Sequence, residues 1–166
     1  QISYVGVNYW EMGKRLADEI IDLLPFGGNV YIISDLISTN TTNLISSVQR
    51  TLQDIDTIHS SVIDSIPSDL PLNTSSNIFI SLTEDDTIML AQQLSEQFPA
   101  YKYKLLGFGA NEVCQMYLQK GYINELFSLN PERIGKEAMR ELFEYRNKGY
   151  ANSYVTVEVK ISRAEK

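Results

Sequence analysis

The sequence predicts an α/β domain: a Rossmann-like, three-layer αβα sandwich around a mostly parallel sheet. Three observations point there. Strand-like and helix-like segments alternate along the chain, the pattern of a parallel sheet with helices on both faces. Val30 to Ile33 is a short, wholly apolar run, as strands covered on both faces are, and Asn77 to Leu82 reads as another buried strand. Helical segments open on capping or acidic residues and close on Gly or Pro.

The elements follow in order. Ile2 to Val7 is rich in β-branched and aromatic residues and reads as a strand. Asn8 can cap the next helix, with Glu11 as the reciprocal partner at its third position. Trp10, Met12, Leu16, Ile20, Ile21, Leu23 and Leu24 keep roughly helical spacing, and Pro25-Phe26-Gly27-Gly28 ends that helix. After the strand at Val30 to Ile33 comes a polar loop, Asp35 to Thr42, and then a helix from about Thr42 to Leu52. Thr57 to Ile66 alternates as a strand does, and Pro67 to Ser76 holds two prolines and reads as a loop. That connection has about ten residues and no helical pattern. A parallel crossover normally needs about a dozen, so either it is tight or the pairing there differs.

Asn77 to Leu82 is a strand, and Glu84 to Gln97 a helix with acidic residues at its positive end. Tyr103 to Gly107 is a strand, Asn111 to Lys120 a helix stopped by Gly121, and Glu125 to Leu129 a short extended piece. Pro131 opens a helix running to about Lys148, and an alternating strand, Tyr154 to Ile161, closes the sequence.

Composition narrows the function. The chain has 166 residues, enough for one good core, and its 43% hydrophobic and 21% charged content suits a globular domain. A net charge of −7 with scattered Lys and Arg excludes a nucleic-acid surface in this segment. The single cysteine, Cys114, rules out an intrachain disulfide and reads as a small buried hydrophobe. No apolar run approaches the ~20 residues of a membrane span. No signal peptide is visible, and Gln1-Ile2-Ser3-Tyr4 leads straight into a strand, so the chain is expected to start inside a domain.

Enzymatic readings fare poorly. The one histidine, His59, sits in a predicted strand between Ile58 and Ser60, where a partly buried structural or surface role is expected. No His, Cys and carboxylate grouping has metal-ligand spacing, so neither a metal nor a catalytic residue is expected. Gly107-Phe108-Gly109 lacks the remaining signature of a phosphate loop. No cofactor is implied.

Several segments together resemble one family. Tyr4-Val5-Gly6-Val7-Asn8, followed by Gly13 and a helix, is similar to the opening of the C-terminal lobe in type I periplasmic binding proteins and lactose-repressor-type regulators. Asn77-Ile78-Phe79-Ile80 with Thr83-Glu84-Asp85 resembles the family's strand and turn, and Leu105-Leu106-Gly107-Phe108-Gly109 its next strand. Gly121-Tyr122-Ile123, Asn130-Pro131 with Ile134-Gly135, and the strand Val155 to Ile161 continue the likeness in order. The resemblance implies one lobe of a hinged two-lobed clamp. Residues 1–129 would form the C-terminal lobe and 130–149 a crossover helix packed on an absent N-terminal lobe. Residues 150–166 would be a return strand. Without that first lobe, Ile134, Ala138, Leu142 and Tyr145 would present an apolar face, open to repacking or dimerisation.

The resemblance also implies a function: a non-enzymatic domain binding a small solute, a sugar or sugar-like molecule, in an exported transporter component or a membrane sensor kinase. Its location would be periplasmic or extracellular. The alternative is the effector domain of a cytoplasmic transcription regulator. In open parallel sheets ligands lie beyond the carboxyl ends of strands, so Asn8, Asp35, Thr83, Glu84 and Gly109 are expected binding residues, with Trp10 beside Asn8 as an aromatic face for a sugar ring and Thr42 near the place of the family's arginine. Asn8 and Trp10 each carry a plainer reading, a helix cap and a core ring. The chain departs from the family's polar set: Asn8 replaces an aspartate, Thr42 stands near a missing arginine and Thr83 replaces an asparagine. Gly109 replaces an aspartate and Leu129 a glutamine.

Overall fold

The computed structural model describes residues 4–6, 8–34, 39–70, 76–129, 154–156 and 159–164. The chain divides into two compact units, Gln1–Asn8 with Ser128–Lys160 and Tyr9–Phe127 with Ile161–Lys166. In the first unit the described backbone is a parallel pair, β1 (Tyr4–Gly6) and β7 (Tyr154–Thr156), with Val5 opposite Val155. The helix expected between Pro131 and Lys148 lies outside the described residues, as does its apolar face.

The remaining elements lie wholly or in part in the second unit. Helix α1 (Tyr9–Leu23) leads to β2 (Gly28–Ile33), α2 (Thr39–Leu52) and β3 (Ile58–Ile63). Then come β4 (Asn77–Ser81), α3 (Glu84–Gln97), a 3₁₀ turn (Ala100–Lys102), β5 (Lys104–Phe108) and α4 (Glu112–Gln119). Strands β6 (Glu125–Leu129) and β8 (Val159–Arg163) complete a six-stranded sheet of order β3-β2-β4-β5-β6-β8. The pairs β2–β3, β2–β4, β4–β5 and β5–β6 are all parallel. This is the α/β architecture the sequence predicts.

Alternation sorts the strand residues between two helical layers. Ile33, Phe79 and Leu105 share one core with Leu90, Ala91 and Leu94 of α3 and with Cys114 and Leu118 of α4. Val30, Ile32, Ile78, Ile80 and Leu106, at the alternate positions, are also buried. They face the opposite layer, where α1 and α2 bury Leu16, Ala17, Ile20, Leu44, Val48 and Leu52. Helices α1 and α2 cross at Gly13. A Cβ there would lie 2.6 Å from the Ser47 Cβ and 2.8 Å from the Leu44 carbonyl, so only glycine allows the approach.

The structure departs from the sequence expectation in several places, beginning with β2, which starts two residues before Val30, at Gly28. The closing segment Tyr154 to Ile161 is two strands in two different sheets, because periodicity shows a strand but not its partner. Strand β3 stops at Ile63, before the bend at Asp64-Ser65, and the proline at 67 further disfavours continuing the regular structure. Helix α2 starts three residues earlier than Thr42, at Thr39, where Ser, Thr and Asn residues look like loop by composition. The connection from Ile63 to Asn77 is longer than the sequence suggested and joins strands that are not neighbours: β2 lies between them. The order of strands therefore reverses beside β2. Open α/β sheets hold their ligands at such a switch point, beyond the strand ends.

A candidate ligand site at the strand ends

Strands β4 and β5 run side by side and each delivers a helix start. Past Ser81, the Thr83 side chain caps α3 by accepting from the Asp86 N–H at 3.1 Å. Past Phe108, Asn111 caps α4 by accepting from the Cys114 N–H at 2.8 Å. Glu84 joins the two helix starts, since its Oε1 accepts from the Asn111 N–H at 3.0 Å. The ends of β4 and β5 are thus held in register by polar contacts between helices α3 and α4.

Below this layer is a buried hydroxyl network. Ser81 Oγ and Thr87 Oγ1 are 2.6 Å apart, and Thr87 Oγ1 lies 2.8 Å from the carbonyls of both Thr83 and Phe108. A hydroxyl has one proton. Thr87 spends it on those carbonyls, so Ser81 is the donor to Thr87. The network ties β4, β5 and the first turn of α3 at one point.

Charge at the site selects against anions. The first turn of α3 carries Glu84, Asp85 and Asp86, and that of α4 carries Glu112. These carboxylates compensate the positive helix ends, so a phosphate or carboxylate ligand would meet like charge. A neutral ligand rich in hydroxyls suits acceptors of this kind. Phe108 adds a half-buried ring, tilted against Phe127 with centroids 5.3 Å apart.

The structure places the expected residues unevenly. Thr83, Glu84 and Gly109 come together: a Cβ on Gly109 would lie 3.2 Å from the Glu84 Cγ and 2.8 Å from the Cys114 Sγ. Thr42 is exposed in the first part of α2. Asp35 lies outside the described residues. Asn8 immediately precedes α1 and groups with the β1–β7 unit. Trp10 does not fill the core. It is 38% exposed, and the Arg50 guanidinium sits 5.9 Å from its ring centre, toward the far end of α2 from Thr42. Its carbonyl accepts from Ser47 Oγ at 2.6 Å. Trp10→Ala is therefore expected to cost only about 1 kcal/mol in urea melts, the scale of an exposed cation–π contact; a loss of about 3 kcal/mol would indicate a core ring.

Sequence reasoning missed Thr87 and the position of Cys114. Thr87 looks like an ordinary polar residue in the first turn of a helix, and only the sheet shows what it faces. Cys114 is fully buried, and burial first, then the nearby Glu84 charge, pushes its thiol pKa up. It is a packing residue. His59 is exposed on β3, and among the described residues no cluster of His, Cys and carboxylates could hold a metal. Among the same residues, no helix is long and apolar enough to cross a membrane.

No protein-family profile and no curated relative matches the sequence. Solved structures do. A glucose–galactose binding protein from Geobacillus stearothermophilus, GanP, superposes with a TM-score of 0.78 at 19% identity, over 99% of this chain and 63% of that one. The sugar-binding protein of a sugar ABC transporter from Bacillus halodurans gives 0.83 at 14%, over 98% and 63%. A LacI-type transcriptional regulator from Bacteroides fragilis gives 0.71 at 11%, over 98% and 62%. The chain spans a little under two thirds of the length of each. With the strand order and the switch point beside β2, these likenesses show that the chain has a type I periplasmic-binding-protein-like fold.

Proposed function

We propose that this chain is a non-enzymatic, carbohydrate-binding lobe of a solute-binding protein that serves a transporter or a membrane sensor outside the cytoplasm. The observation that carries this is the arrangement at the ends of β4 and β5. There Thr83, Glu84 and Asn111 line up at two helix starts whose positive ends are already compensated. Such a surface offers acceptors to hydroxyl groups and repels anions. The named sugar-binding neighbours share the fold on which this surface is built. Binding energy would come from closure around the solute, with the population shift set by the ligand's preference for the closed state. Asn8, Asp35 and Thr42 stand as further proposed contacts.

The test is calorimetry with a panel of neutral pentoses and hexoses on the protein carrying both lobes, wild type and Glu84→Gln. Wild type is expected to bind at least one sugar. Glu84→Gln should weaken that sugar about tenfold, the scale of one charge-assisted hydrogen bond, while the melting temperature stays within a few degrees. Equal affinities in the two proteins would overturn the assignment of Glu84, and no sugar binding at all would overturn the function. The regulator-type neighbour favours a second reading, an effector-binding domain. The encoded residues upstream of Gln1 separate the two: a helix-turn-helix supports the regulator, a signal or anchor segment the exported protein.

A further inference from the structure

We infer that Glu19, Glu125 and Arg163 form a proton-operated clasp that fastens the end of the last strand, β8, to α1 and β6. The three residues come from distant segments of the same unit. Glu125, the first residue of β6, is only 4% exposed, and its Oε1 has no hydrogen-bond partner among the described residues. Its Oε2 lies 3.9 Å from Arg163 Nε at the end of β8. Arg163 donates its stronger contact elsewhere, at 2.5 Å to Glu19 Oε1 on α1. One residue on, the Ala164 N–H donates to the Asn124 carbonyl at 2.9 Å, next to Glu125. Two carboxylates thus share one guanidinium, and the buried one has the poorer share.

A buried carboxylate with an unpaired oxygen is costly when ionised. A proton removes that cost, since protonated Glu125 gains a donor for Glu19, whose charge Arg163 already holds. The groups facing Glu125 act in both directions. Burial is the largest influence and raises its pKa, and Glu19 from α1 raises it further. Arg163 from β8 and Lys104 from β5 lower it. The balance brings Glu125 to about 7 from an ordinary 4.5. Its proton is therefore bound more tightly in the closed clasp than in an opened, hydrated one. Closure is favoured fully below the ordinary carboxylate range. That advantage is lost progressively as pH rises toward 7, and no more is lost above it.

Hydrogen exchange at the Ala164 amide, corrected for intrinsic rates, tests this in the full chain. Its protection is expected to fall about tenfold or more between pH 5 and pH 7.5. Glu125→Gln, which keeps the shape without the charge, should abolish most of that dependence. Carbon-detected titration of Glu125 supplies a readout that needs no variant to fold, and a midpoint near 7 is the expected result. Flat corrected protection in the wild type, an unchanged dependence in Glu125→Gln, or a Glu125 midpoint near 4.5 would each overturn the clasp.

Discussion

Thr87→Val should lower the stability of the protein by about 3 kcal/mol, read as a drop in urea midpoint at unchanged slope. Valine keeps the shape of threonine, so packing against Gly107 is preserved and the effect isolates one hydroxyl. That hydroxyl receives the Ser81 proton and gives its own to the Thr83 and Phe108 carbonyls. Ser81 and Thr87 are both fully buried. Removing the hydroxyl leaves a buried donor on Ser81 and takes a partner from the Phe108 carbonyl, each worth about 1–3 kcal/mol when left unpaired. The backbone bond from the Thr87 N–H to the Thr83 carbonyl survives, so α3 itself should persist. A cost under about 1 kcal/mol would mean that water enters and replaces the hydroxyl. Thr87→Ser, which keeps the donor and acceptor, should cost less than Thr87→Val, since it removes only a methyl.

Much of this fold was legible in the sequence, and the reasons are local. Helix α3 appears with the bounds the sequence predicts, because Thr83 caps it and three acidic residues follow at its positive end. Strand β4 is buried at every position, and the apolar residues Ile78, Phe79 and Ile80 at its centre announce that. What the sequence could not show was long-range choice. The pattern over Tyr154 to Ile161 gives no hint that one part pairs with β1 while the next enters the larger sheet. The placement of β3 and β4 on opposite sides of β2 is equally silent in the residues, although the short helix-free connection signalled that something differed. The same limit applies to the site. Thr83, Glu84 and Gly109 follow from the rule that strand ends in such sheets gather ligands, whereas Trp10 follows only from its ring and its place beside Asn8 in the chain. In the fold that ring lies beside Arg50, which thirty-nine intervening residues conceal.

Gly109 gives the second large effect, and it bears on how the site differs from the family it resembles. The resemblance implies an aspartate at the place where this chain has Gly109. A side chain at this position would begin 2.8 Å from the Cys114 Sγ and 3.2 Å from the Glu84 Cγ. The first distance is below real contacts, so α4 or the thiol must shift. Overpacking of this kind costs about 1–3 kcal/mol, and Gly109→Ala is expected near 2 kcal/mol in urea melts. Cys114→Ala alone should cost about 1–2 kcal/mol through the cavity it leaves. The double variant should be more stable than the sum of the two predicts, by about 1 kcal/mol or more, because each change makes room for the other. Strict additivity would show that the thiol is not what excludes a side chain at 109. If the coupling is found, the absence of a carboxylate at 109 has a steric cause as well as a chemical one. The space is already occupied by Cys114 and by the stem of Glu84, whose own carboxylate reaches Asn111 beside it. The acidic group at this strand end is then supplied from the start of α3 and not from the end of β5.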